Sequence, residues 1–153
     1  MTAEELGAYL RTHIPLTRAL GVEVLELSDA VVRLGAPLVP NVNHRQTAFG
    51  GSVACLAILS AWGWLHARLE RDAPGSRLVI QRQAIEYLMP IGAPFTASCA
   101  APRPDAWHRF SRTFASRRRA RIELAAEVRC GESIAATFTG SYVALAPEGS
   151  SCG

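Results

Sequence analysis

Apolar residues recur along this 153-residue chain with two different periods. In residues 4–13, EELGAYLRTH, Leu6, Tyr9 and Leu10 fall at helical intervals, and Thr2 three residues ahead of Glu5 makes a capping box. A short amphipathic helix is therefore predicted at the start. Residues 21–38, GVEVLELSDAVVRLGAPL, are rich in valine and leucine on either side of Ser28-Asp29-Ala30. That pattern predicts two strands joined by a tight turn. Alternation is imperfect in the first strand, as a bulge or burial on both faces would make it.

After a loop from Val39 to Phe49 comes a long apolar segment that predicts a helix over 51–71, stopped by Pro74 and Gly75 in RDAPGS. At 1.5 Å per residue it is about 30 Å long, close to the width of a small domain. Val53, Leu56, Ile58, Leu59, Trp62, Trp64 and Leu65 point almost all round its axis, so other elements must wrap it. Its longest uncharged apolar stretch, Val53 to Leu65, falls short of the roughly 20 residues of a bilayer crossing.

Four later segments have strand composition: 77–90, 93–101, 119–130 and 133–145. The third alternates most cleanly. Ala120, Ile122, Leu124, Ala126 and Val128 share one face, while Arg119, Arg121, Glu123, Glu127 and Arg129 take the other, which predicts one dry and one wet side. CGES at 130–133 marks a hairpin into the last strand. Between the second and third segments, Trp107, Phe110 and Phe114 are spaced as the buried stripe of a short helix. An α+β fold accounts for this order: an antiparallel sheet of about six strands curled around the long helix, in a single domain over 1–147.

Composition narrows the picture. With 49% hydrophobic and 19% charged residues the chain is globular in type, and its length allows roughly 70% of the unfolded surface to be buried. Disorder is expected only in the tail, 148–153. The N-terminal residues carry acids where a secretory signal has bases, so a cytoplasmic location is expected. Cys55, Cys99, Cys130 and Cys152, and His13, His44, His66 and His108, are scattered without ligand spacing. Neither a metal nor a cofactor is expected. All sixteen basic residues are arginine, and seven lie between Ala101 and Arg121 against a single acid, Asp105.

NVNHRQTAFGGS at 41–52 followed by the apolar helix, then AIEYLMP and ARIELAAEVRCGESIAATFTGSYVAL, resembles a hotdog-fold thioesterase family. That family also occurs as the C-terminal domain of longer bacterial proteins behind an acetyltransferase-like domain. The likeness runs from about Leu6 to Leu145, with Phe49 where related families have histidine and Gln46 where glycine is expected. It implies an enzyme acting on acyl thioesters of coenzyme A or acyl carrier protein. It also implies a homodimer or higher homo-oligomer joined edge to edge, with active sites at the interface. Coenzyme A or phosphopantetheine enters only as part of the substrate.

Gly50, Gly51 and Ser52 open the long helix, where backbone N–H groups lack intrahelical partners and the helix dipole is positive. A thioester oxygen there would meet donors as it gains charge. Gly51, Ser52 and Asn43 are thus the catalytic candidates, with Asn43 adding a side-chain donor or holding a water. His44, Thr47, Phe49 and Gly50 are substrate-binding candidates, and Asn41 reads as a turn former. Many hydrolytic hotdog enzymes carry a carboxylate in the second turn of this helix, but here the matching place lies around Ile58 and no acid occurs from Gly50 to Leu69. Decarboxylation of a malonyl thioester, which some members of the family resemble in function, needs no such base. Arg117, Arg118 and Arg119 are candidates to dock the phosphates of coenzyme A or an acidic carrier protein. The same patch would serve a nucleic-acid-binding module, but no nucleic-acid motif is visible. Neither a nucleic acid nor a membrane is expected as partner.

Overall fold

Thr2 and Glu5 cap the first helix reciprocally. The Thr2 hydroxyl accepts from the Glu5 N–H at 3.1 Å, and the Glu5 carboxylate accepts from the Thr2 N–H at 2.7 Å. The computed structural model describes residues 1–147, so the disorder expected at 148–153 lies outside the described residues. Helix α1 is Ala3–His13. A five-residue helix, α2, Leu16–Leu20, follows it and ends on Gly21 in the left-handed region at φ 69°. Strands β1, Glu23–Leu27, and β2, Val31–Ala36, form the expected hairpin. The imperfect alternation of β1 is a bulge between Val24 and Glu26.

A short 3-10 turn, Val39–Asn41, leads into the loop before the long helix α3, Gly50–Asp72. Then come β3, Arg77–Tyr87, β4, Phe95–Ala100, helix α4, Pro104–Arg117, β5, Arg119–Cys130, and β6, Ser133–Leu145. The six strands make one antiparallel sheet in the order β1-β2-β4-β5-β6-β3. Its inner face supplies Ala97, Cys99, Ile122, Leu124, Val128, Phe138 and Tyr142 to the core. Leu56, Ala57, Ala61, Trp64 and Leu65 of α3 bury against it.

By length and composition α3 could cross a bilayer, yet 67% of its most apolar window is buried within the fold. Its wrapping is incomplete, because Cys55, Ile58 and Trp62 remain half-buried. Helix α1 covers part of this flank, with the Tyr9 ring 4.0 Å from His13 and 4.5 Å from His66 between ring centroids. His66 is buried, and its Nε2 has no hydrogen-bond partner among the described residues. Burial holds its pKa below the usual imidazole range against the pull of Glu70, and His13 lowers it further. The Tyr142 hydroxyl donates to the Ile58 carbonyl at 2.8 Å, and burial pushes its phenol pKa up.

Helix α4 closes the C-terminal end of α3. The Trp107 ring stands edge-on to Trp64 at 5.3 Å and stacks on Phe110 at 5.3 Å. The Arg68 guanidinium lies 5.5 Å from the Trp64 ring centre and 5.0 Å from that of Trp107. It also pairs with Asp29 at 3.1 Å, and Arg71 meets the same carboxylate at 3.0 Å. Hydrogen bonding from Arg71 lowers the Asp29 pKa. The Trp64 indole N–H donates to the Asp29 carbonyl at 3.1 Å, so the turn between β1 and β2 is tied to α3.

Candidate active site

The other end of α3 has no such closure. Its N-cap residue is Phe49, which has no side-chain acceptor for the first-turn N–H groups, and the first turn carries no acid. Serine, threonine or aspartate at this position would occupy one of those donors. Here the first amide bonded back is that of Val53, to the Phe49 carbonyl at 3.1 Å. The N–H groups of Gly50, Gly51 and Ser52 are the orphans that every α-helix leaves at its start, and the Ser52 hydroxyl, in a 9% exposed residue, is likewise without a partner among the described residues.

Gly50 and Gly51 border a cleft of about 520 Å³ whose other walls include Thr47, Val53, Tyr87, Met89 and Ile91. The Tyr87 hydroxyl donates to the Gly50 carbonyl at 2.8 Å and pins the end of β3 to the helix start. The Ala48 N–H donates to the Ile91 carbonyl at 2.8 Å and joins the two lips below. Tyr87, Leu88 and Met89 are all more than 40% exposed, so the cleft mouth is apolar. Among the described residues no carboxylate lines it.

The two glycines meet side chains more than open space. A Cβ on Gly51 would sit 2.3 Å from Cε1 of the Phe49 ring, and one on Gly50 would sit 3.2 Å from the Tyr87 hydroxyl oxygen. At Gly51 the missing Cβ makes room for the neighbouring Phe49 ring. Phe49 is 57% exposed, with its ring folded over the helix start.

The two asparagines hold the loop in different ways. Asn41 is buried, and its amide donates to the carbonyls of Leu20 at 2.9 Å and Pro37 at 2.7 Å, which clamps the loop to α2. Asn43 is the turn former: its side-chain oxygen accepts from the N–H groups of Arg45 at 2.8 Å and Thr47 at 3.2 Å. Its amide donates to the Thr47 hydroxyl at 2.9 Å, which leaves one amide hydrogen outside the loop's own bonds. Gln46, in the place expected for glycine, adopts φ 62° and closes the turn in the left-handed region. His44 is exposed on the same loop.

Candidate bases are distant or turned away. Glu86 projects from the outer face of β3, beside Thr137, away from α3. Glu70 lies nineteen residues beyond Gly51, about 29 Å along the helix. Cys55, one turn past Gly51, has its thiol pKa raised by burial, so it is not a ready thiolate. Buried Cys99 is pushed up to about 12. Among the described residues no cluster of histidine, cysteine or acid is placed to hold a metal ion.

The arginine trio is divided. Arg118 takes φ 57° at the end of α4, and its guanidinium donates to the Pro147 carbonyl at 2.6 Å. It borders an apolar cleft formed with Leu69, Trp107 and Phe114 at the far end of α3. Arg117 and Arg119 instead join Arg121, Gln81 and Thr113 around a separate hollow of about 420 Å³. Arg121 donates to the Gln81 side-chain oxygen at 3.1 Å. Tyr87 and the segment 88–91, absent from the expected site, had a trace in AIEYLMP, where apolar residues continue past the strand to a proline.

A helix start with free donors beside an apolar cleft, inside a curled sheet, can be compared with known proteins. The family described as "Putative thioesterase (yiiD_Cterm)" matches residues 3–146. The chain belongs to this family. Among solved structures it is similar to a protein of unknown function from Chlorobaculum tepidum TLS, at 26% identity over 94% of both chains with a TM-score of 0.87. It also resembles a thioesterase-type protein from Shewanella oneidensis, at 23% identity over 94% of this chain and 96% of that one, TM-score 0.79. A thioesterase from Haemophilus influenzae shares the fold at 13% identity, covering 99% of this chain and 95% of the other, TM-score 0.77. The hotdog arrangement of this thioesterase family is thus the arrangement of this chain.

Proposed function

We propose that the protein acts on acyl thioesters carried by coenzyme A or acyl carrier protein, with the thioester oxygen held at the start of α3. The observation that carries this reading is the trio of N–H groups at Gly50, Gly51 and Ser52, left open by a phenylalanine N-cap beside an apolar cleft. Such donors stabilise negative charge on a carbonyl oxygen without reorganising. We assign the Ser52 hydroxyl and the spare amide hydrogen of Asn43 as added donors to the same oxygen or to a water, although neither residue is part of the cleft's lining. Thr47 and Gly50 border the acyl group, while Phe49 covers it from above. His44 is at hand on the loop as a contact for the pantetheine end.

A second reading is favoured by the cleft's lack of any carboxylate and by the apolar second turn, Cys55 to Ile58. In a malonyl thioester the bond between the carboxylate carbon and the α-carbon breaks, carbon dioxide leaves, and the electron pair moves into a thioester enolate. The helix-start donors would stabilise that enolate, and a proton from water would complete the acetyl thioester. An apolar wall raises the energy of the departing carboxylate, which speeds its loss. Incubation with acetyl, longer acyl and malonyl thioesters, read by mass, tests both. Free thiol identifies hydrolysis, acetyl thioester from malonyl substrate identifies decarboxylation, and neither product overturns both readings.

The protein is proposed to work as a homodimer built on the β3 edge. Gel filtration with light scattering gives the assembly directly, and a monomer at micromolar concentration refutes this part.

A further inference from the structure

The peptide unit between Gly50 and Gly51 ties the start of α3 to the sheet. Its N–H, that of Gly51, belongs to the first turn and has no intrahelical partner. Its carbonyl, that of Gly50, accepts from the Tyr87 hydroxyl at 2.8 Å. In an α-helix the same carbonyl also takes the N–H four residues on, which here belongs to Ala54. Both lone pairs of the oxygen are thus engaged. The carbonyl and the N–H of a trans peptide point in opposite directions. The Tyr87 O–H, the Gly50 carbonyl and the Gly51 N–H therefore form one series of dipoles that runs out of the helix start, where Gly50, Gly51 and Tyr87 all border the cleft.

This peptide has little else to hold it. Glycine on both sides gives it the widest backbone freedom, and Phe49 offers no side-chain acceptor to fix the first turn. Tyr87 supplies the restraint from the sheet. It is the last residue of β3 and pairs with Ala136 of β6. The next two amides, of Leu88 and Met89, both donate to the Ala135 carbonyl, at 2.8 Å and 3.3 Å. The hydroxyl is thus delivered from an anchored strand end.

Gly50 is fitted to the same bond. A Cβ there would lie 3.2 Å from the Tyr87 hydroxyl oxygen and 3.3 Å from Cζ of its ring, so a methyl group would press the hydroxyl away from the carbonyl it holds. The two glycines serve different side chains: Gly51 accommodates Phe49, and Gly50 accommodates Tyr87. Tyr87 is 52% exposed, so its hydroxyl adds little to the core. What the bond does change is the Gly51 N–H. Hydrogen bonds in series polarise one another, by about 10–30% per bond, and a donor already aimed stabilises developing charge without reorganising.

We propose that Tyr87 is a positioning residue, whose hydroxyl holds the Gly50 carbonyl and thereby aims and strengthens the Gly51 N–H as a donor to the thioester oxygen. This rests on the acyl-thioester reading above.

Tyr87→Phe keeps the ring and removes the hydroxyl. With whichever acyl thioester the wild type turns over, kcat is expected to fall about tenfold while KM and the unfolding midpoint stay nearly constant, because the donor acts on charge that develops in the transition state. Loss of a whole donor costs more, about a hundredfold or above. Gly50→Ala is expected to lower kcat similarly, and the double variant to be little worse than either, since both changes remove one bond. Fully additive losses overturn the proposal, as does a change confined to KM, which would make Tyr87 a wall of the cleft and nothing more. Difluorotyrosine at position 87 is a stronger donor than tyrosine, so kcat is expected to rise in the order phenylalanine, tyrosine, difluorotyrosine at a pH where the phenols are protonated. Any other order refutes the strengthening. A readout independent of turnover is the nitrogen chemical shift of the Gly51 amide, expected to move upfield in Tyr87→Phe, and an unmoved shift rules the coupling out. Failure of the wild type on every acyl thioester overturns the reading beneath, whereas wild-type turnover with full kcat in Tyr87→Phe overturns this proposal alone.

Discussion

The two ends of α3 are built on opposite rules. At the C-terminal end Trp64, Arg68 and Arg71 find partners in Trp107 and Asp29, and α4 closes over them. At the N-terminal end three N–H groups and the Ser52 hydroxyl have no partner among the described residues, and the surrounding Phe49, Tyr87, Leu88 and Met89 are exposed. One end is an anchor and the other is the proposed workplace. Polar groups left without partners next to exposed apolar side chains lower stability, and they persist where a ligand completes them.

The largest effect should come from breaking the anchor. Trp64→Ala is expected to cost about 3–5 kcal/mol of stability, because a fully buried ring and its hydrogen bond to Asp29 are lost together. Urea unfolding measures it, and a loss under 1 kcal/mol would mean that α4 does not hold this end. Changing the workplace should do the reverse. Gly51→Val, which drives a side chain into the Phe49 ring, is expected to lower kcat/KM about a hundredfold, equivalent to about 2.7 kcal/mol. The unfolding midpoint should stay nearly constant, since the ring it displaces is exposed. An equal fall in stability and activity would erase the contrast between the two ends.

Asn41 sharpens the contrast, for it is a structural clamp directly beneath the open end. Asn41→Ala strands the carbonyls of Leu20 and Pro37 and should cost about 1–3 kcal/mol. Activity per folded molecule should be retained, as titration of active protein against denaturant would show. The smallest effect concerns His66. Its folded pKa lies below the ordinary 6.5, so the unfolded chain takes up the proton first. The stability it contributes is complete above about pH 6.5 and is lost as pH falls through the folded value. Melting temperatures between pH 7.5 and pH 5 should therefore decline, with a shallower slope in His66→Phe.

Periodicity was enough to read most of the fold. The β5 alternation from Ala120 to Val128 matches the buried face, and Trp107, Phe110 and Phe114 mark the face of α4 turned to the core. Helix α2 was invisible because five residues hold too little of a 3.6 period. The pairing of β3 with β6 joins residues from Tyr87 with Ala136 to Arg77 with Leu145, far apart in sequence, for which spacing alone offers no signal. At the site, the helix-start residues were legible from Gly-Gly-Ser, while Tyr87 was not, since its role depends on where β3 ends relative to α3. Arg121 could have been found: residues 119 and 121 share a strand face, and 118 falls at the bend before it. Asn41 and Asn43 both suit turns, and only burial separates the clamp from the turn former.

Phe49 as a cap has a consequence for laboratory evolution. An aspartate or serine there would lengthen the life of the folded chain on heating by supplying the missing acceptor, a gain of about 1 kcal/mol. The same carboxylate or hydroxyl would also fill the seat proposed for the substrate's oxygen. A library of this protein screened for heat resistance alone should therefore enrich catalytically silent clones at position 49.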